Sequence, residues 1–90
     1  MNAPIALSVR MFGAFKKYHP ETLSLNLPVG STAAEVKAAI ATALRQSNPA
    51  FGNDDLIDKS VLADNQRILG NDERILASAS LAILPPVCGG

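Results

Sequence analysis

The residues best placed to do chemistry in this 90-residue chain are its last six, Pro85, Pro86, Val87, Cys88, Gly89 and Gly90. Two prolines cannot extend a central strand, because neither offers a backbone N–H, and both favour an extended course away from a sheet. Two glycines carry no Cβ, so a chain end made of them can enter a slot too narrow for any side chain. The tip then offers a bare carboxylate on Gly90, approached through Gly89. A carboxylate is inert toward nucleophiles until it acquires a leaving group. Adenylyl transfer from ATP would supply one as AMP, and a sulfur nucleophile attacking the acyl-adenylate would leave a thiocarboxylate on Gly90. In such covalent group transfer the catalysis belongs to partner enzymes, and this chain supplies reach, shape and a docking face. Cys88 has three readings: a tolerated small residue, a thiol able to pair with the thiocarboxylate or a second copy, or a thiol that handles sulfur itself.

Other chemistries are poorly served. His19 stands between Tyr18 and Pro20 as the chain's one histidine, whereas a metal site needs several convergent ligands. A single cysteine excludes an internal disulfide and a cysteine-based zinc site. No paired carboxylates, no Ser-His-Asp set and no phosphate-cradling glycine loop can be read, so catalysis by the chain alone, a bound cofactor and a metal are not expected. Eight basic and eight acidic residues cancel, leaving no field to hold nucleic acid or an anionic membrane. "MNAPIALSVR" has no basic region before its short apolar run, and no stretch reaches membrane-spanning length. A reduced, cytoplasmic setting is the expectation.

The elements that must position the tail follow from periodicity. Apolar residues make up 48% of the chain, enough for one packed core, and aromatics only 4%, so aliphatic side chains must fill it. "IALSVRMF" alternates, with Ile5, Leu7, Val9 and Met11 on one face and Ala6, Ser8 and Arg10 on the other. "TLSLNLP" repeats the pattern through Leu23, Leu25 and Leu27 until Pro28 ends it. "GAFKKYHPE" between them reads as a turn, so a hairpin follows. Thr32 and Glu35 match a capping box, and Val36, Ile40, Ala43 and Leu44 then form one helical stripe, with Glu35, Lys37 and Arg45 away from it. "QSNPAFGNDD" reads as a loop. The short pieces "SVLA", "RIL" and "RIL", divided by "DNQ" and "GNDE" turns, read as strands, and "SLAIL" as the last one. This α+β order predicts a mixed sheet with one main helix across it and the last strand parallel to the first at the centre, a β-grasp. Residues 1–84 form the expected domain and 85–90 its extended tail.

On these residues the chain resembles the ubiquitin-like sulfur carriers, most of all the small subunit of molybdopterin synthase, with the thiamine-pathway carrier more distant. The likeness runs through "LSVRMFGAF", "LPVGSTAAEVKAAI", "VLADNQRIL" and above all "LAILPPVCGG". It implies adenylation of Gly90 by an activating enzyme of the E1 type that uses ATP. A thiocarboxylate then forms there, and its sulfur goes to an acceptor enzyme, in that family the large subunit of molybdopterin synthase.

Carried onto this chain, Gly90 is the acyl carrier and Gly89 the slim approach, while Pro85, Pro86 and Val87 guide the tail. Phe12, Phe15, Ile83 and Leu84 would supply apolar docking surface, with core packing the competing role for Ile83 and Phe15. Lys16 stands where relatives often carry a basic residue for partner contact, with a solvated surface lysine the competing role. Two departures mark the sequence. Small neutral residues in "ILASASLAIL" replace the acidic turn the family usually shows before the last strand, although "GNDE" lies just upstream, and Cys88 stands where relatives more often have Ala, Ser or Thr. Three alternatives stay open: a carrier for another pathway (thiamine, cysteine or a specialised metabolite), a modifier conjugated through Gly90, or a binding module with an incidental tail.

Overall fold

The computed structural model describes residues 4–49 and 54–85. Its first element, β1 (Pro4–Met11), alternates exposed and buried positions along its whole length. It pairs antiparallel with β2 (Leu23–Pro28), with Leu7 opposite Leu25 and Val9 opposite Leu23. A shared register of period two therefore puts every large aliphatic side chain of the hairpin on one face. The connection is not a bare turn. It holds a one-turn helix, α1 (Phe15–Tyr18), which points Phe15 into the core with no exposed surface.

A second hairpin-like corner, β3 (Ser31–Thr32), leads into the main helix, α2 (Ala33–Ser47). The expected capping box is present: the Glu35 N–H donates to Thr32 Oγ1 at 3.2 Å and the Thr32 N–H to Glu35 Oε1 at 2.9 Å. Val36, Ile40 and Leu44 lie at helical spacing and are fully buried against the sheet, each worth about 1.5–3 kcal/mol of apolar burial. Ala41 is buried beside them, while Ala43 is only half-buried.

After α2 come α3 (Asp54–Lys59), β4 (Val61–Ala63), β5 (Ile68–Leu69), β6 (Arg74–Ile75) and β7 (Ala79–Leu84). The main sheet has the order β2-β1-β7-β4-β5, and β3 pairs with β6 in a separate two-stranded sheet. Strand β7 runs parallel to β1 and antiparallel to β4, so the last strand is central, as the element order implied. With α2 across one face, the architecture is a β-grasp. The core is its filling: Ile5, Leu7, Val9, Met11, Phe15, Leu62, Leu81 and Ile83 with the inward face of α2.

Two local readings change. Part of "QSNPAFGNDD" opens α3, whose Ile57 is buried, instead of remaining loop throughout. Lys37, expected away from the buried stripe, is 6% exposed. Its Nζ donates to the Asp58 carbonyl oxygen at 3.2 Å and to Asn71 Oδ1 at 3.3 Å. The ammonium thus ties α2 to the end of α3 and to the β5–β6 turn, and its flank of the helix is covered by those segments.

Candidate functional site

The tail grows from the centre of the sheet. β7 is bonded on both sides, and its last residue, Leu84, lies opposite Val61. Pro85 follows, without an N–H to continue the ladder. The register that sets Met11 beside Ile83 brings Phe12 and Leu84 to the same end of the sheet. There the chain turns through Gly13, whose φ of 56° is readily available to glycine and disfavoured for other residues. The turn is locked by bonds from Phe15 N–H to the Phe12 carbonyl and from Lys16 N–H to the Gly13 carbonyl, each 3.1 Å.

Phe12 is half-buried, and two cations lie over its ring. The Arg10 guanidinium carbon is 5.7 Å and Lys16 Nζ 5.9 Å from the ring centroid. Both distances suit cation–π attraction, worth about 0.5–1 kcal/mol at exposed sites. Lys16 itself is exposed. Of the expected site residues, Phe12, Lys16, Leu84 and Pro85 therefore gather at the root of the tail. Phe15 does not: full burial makes it a core residue, which corrects its expected docking role, and Ile83 is likewise fully buried. Pro86, Val87, Cys88, Gly89 and Gly90 lie outside the described residues.

The face of the sheet opposite α2 adds residues that sequence reasoning did not single out. Strand parity puts Val61, Ala63, Ile68, Ala82 and Leu84 together on it. Ile68 is 60% exposed and Val61 37%, an apolar strip adjoining the tail root. Arg10 and Gly13 were also missed as participants. The available signal was their place, two residues before and one residue after Phe12. Beside the strip, a depression of about 400 Å³ is lined by Ser8, Arg10, Thr22, Asn65 and Ser80. These side chains offer a guanidinium, hydroxyls and an amide, and no acid–base pair.

Three acidic groups, Glu73, Asp64 and Glu35, are committed to structure. Glu73 forms a two-pronged ion pair with Arg67, whose hydrogen bonds hold its carboxyl below the usual range against the opposing effect of desolvation. Asp64 accepts from the Gln66 and Arg67 N–H groups at 2.8 Å and is lowered by those bonds. Glu35 is lowered by its bonds from Thr32. The start of α2 is equally occupied: the Ala33 N–H donates to the Glu73 carbonyl at 2.9 Å and the Ala34 N–H to that of Asn71 at 3.1 Å. With the capping box, four consecutive amides have acceptors, so this helix start has none to spare for a phosphate. "GNDE" is thus a helix-capping turn.

His19 Nδ1 donates to the Glu21 carbonyl at 2.6 Å, as a loop residue. Among the described residues no group of three or more His, Cys, Asp or Glu side chains could hold a metal. No helix among them is long and apolar enough to cross a membrane.

No family model matches the chain. A molybdopterin synthase sulfur carrier subunit from Synechococcus elongatus is 39% identical over 82 residues, covering 88% of this chain and 90% of that protein. Small archaeal modifier protein 1 of Haloferax volcanii superposes with a TM-score of 0.65 at 22% identity, over 92% of this chain and 99% of its own. The ubiquitin of Caldiarchaeum subterraneum does so at 0.61 and 14% identity, over 97% and 99% respectively. The two structures establish the ubiquitin-like fold. The cyanobacterial relative establishes more: this chain belongs to the family of molybdopterin synthase sulfur carrier subunits.

Proposed function

We propose that the chain carries sulfur as a thiocarboxylate on Gly90 and acts as the small subunit of molybdopterin synthase in molybdenum cofactor biosynthesis. The observation that carries this reading is the 39% identity to a sulfur carrier subunit across nearly the full length of both chains. The root of the tail supports it: a central strand bonded on both sides delivers Pro85 to the rim of the sheet, beside an exposed apolar and cationic surface.

In the first step a Gly90 carboxylate oxygen attacks the α-phosphorus of ATP in an E1-like activating enzyme, and pyrophosphate leaves. Sulfide-level sulfur then attacks the acyl carbon, AMP departs with the C–O bonding pair, and the thiocarboxylate remains. Its sulfur is ionised at neutral pH and nucleophilic, so it can be handed to an acceptor bound in the large subunit without free sulfide escaping. ATP is the activating enzyme's substrate, and this chain binds no cofactor of its own. A reduced cytoplasmic setting suits a carrier with a thiol at Cys88.

Docking falls to Phe12, Lys16, Leu84 and Pro85 with Val61 and Ile68, and guidance of the tip to Pro86, Val87 and Gly89. Conjugation through Gly90 to lysines would use the same activation, and the fold does not separate the two outcomes. The test is intact mass after incubation with ATP, a sulfur donor and the activating enzyme from the same genome. A sulfur-for-oxygen mass gain on Gly90 supports the carrier. Isopeptide-linked products without that gain would replace it with the modifier.

A further inference from the structure

We infer that Gly13 is a positioning residue for the tail: the space it leaves empty is the seat of Pro85, and that seat sets the direction in which the chain leaves the sheet. The inference rests on the tail being the working part of the molecule, and it goes beyond that reading by naming what aims it. A methyl group placed on Gly13 would lie 2.7 Å from Pro85 Cγ, 3.5 Å from Cδ and 3.8 Å from Cβ. All three nearest atoms belong to the one proline ring, 72 residues away in sequence.

Neither side of this contact can retreat easily. Gly13 sits between Phe12, whose ring lies under Arg10 and Lys16, and α1, which is pinned by the fully buried Phe15. On the other side, Pro85 follows directly on a strand bonded to both neighbours. An added methyl must therefore be accommodated by rotation at Pro85, where the ladder has ended. Opening the contact to an ordinary carbon–carbon separation requires a movement of about 1 Å. Pivoting about Leu84, one Cα step of ~3.8 Å back, that movement turns the chain by about 15°. Five further residues bring the arm from Leu84 to at most about 21 Å, so an extended tip would be displaced by roughly 5 Å. Misplacement of a reacting group on that scale is enough to slow group transfer by about tenfold or more.

The test uses the full chain and its one cysteine. A nitroxide label on Cys88 broadens amide signals of the body according to where the tail spends its time. Gly13→Ala is expected to change that broadening pattern. Pro85→Ala removes Cγ and Cδ and leaves only the 3.8 Å contact, so the pattern of Gly13→Ala/Pro85→Ala should match that of Pro85→Ala alone. An unchanged pattern in Gly13→Ala overturns the inference. So does a change of equal size in the Pro85→Ala background, which would trace the effect to the positive φ instead of the seat. Unlabelled proteins give the second readout, with the activating enzyme. Gly13→Ala should lower kcat for loading about tenfold with KM within about twofold, because of the docking residues only Pro85 is displaced while Phe12, Lys16, Leu84, Val61 and Ile68 stay in place. Failure of the wild-type chain to load would refute the sulfur-carrier proposal, while the label pattern still decides the role of Gly13.

Discussion

Ile68→Ala is the substitution that most sharply tests the proposed docking face. Ile68 is 60% exposed on the open side of the sheet, in the strip that includes Val61 and Leu84. Full burial of an isoleucine side chain is worth about 1.5–3 kcal/mol, so covering the part still exposed would contribute about 1–2 kcal/mol to a complex. Its loss corresponds to a rise of about 5- to 30-fold in KM for activation at unchanged kcat. Val61 is 37% exposed and has less left to bury, so Val61→Ala should raise KM by a smaller factor. The molecule provides its own control. Leu76 is 70% exposed yet lies between β6 and β7, outside the strands of the main sheet, and Leu76→Ala should leave KM unaltered. Neither Ile68→Ala nor Leu76→Ala removes much buried surface, so their thermal unfolding should move little. Steady-state kinetics with the activating enzyme read all three. A KM for Ile68→Ala equal to wild type, or matched by Leu76→Ala, would refute the assignment of this face.

Three further outcomes concern the scaffold. Lys37→Met keeps the apolar stem but strips a hydrogen-bond donor from the Asp58 carbonyl and Asn71 Oδ1. A loss of about 1–2 kcal/mol is expected, read as a fall in Tm of roughly 5–15 °C, and a rise in Tm would show the buried ammonium to be a net burden. Thr32→Ala breaks the capping box and should destabilise by about 1 kcal/mol, measured by urea unfolding at an unchanged m-value. The folded-state pKa of Glu35 and of Glu73 is lowered from an ordinary 4.5, so each contributes stability above that pH and loses it as pH falls through the lowered value. Tm followed from pH 6 downward should therefore decline less steeply in Glu73→Gln than in the wild type, and parallel curves would contradict the assignment.

Much of this scaffold was legible because period and punctuation agree. Strict alternation in β1 and β2, the Thr32–Glu35 box and the central apolar strand before Pro85 each state their structure locally, and together they admit few topologies. The short helices were not legible for the opposite reason. Four residues in α1 and six in α3 are too few for a helical period to show. Lys37 misled because the stripe on α2 reports contact with the sheet, whereas its own flank is covered by segments that arrive later in the chain. Phe15, an aromatic residue two positions after Gly13, fitted a surface or a core, and only the turn of α1 decides between them. The seat between Gly13 and Pro85 is a long-range contact that neither residue announces by type. The reactive end was the reverse case: residue types in "PPVCGG" spoke for the chemistry, and the described structure adds where that segment begins and what surrounds its root.

The central claim is that Gly90 is converted to a thiocarboxylate, and intact mass spectrometry tests it most directly. After incubation with ATP, a sulfur donor and the activating enzyme, the wild-type chain should gain the mass of sulfur replacing oxygen, with the change localised to Gly90 by fragmentation. A chain lacking Gly90 should stay unmodified while giving the same unfolding curve. An unchanged wild-type mass with an activating enzyme that loads another carrier would contradict the claim.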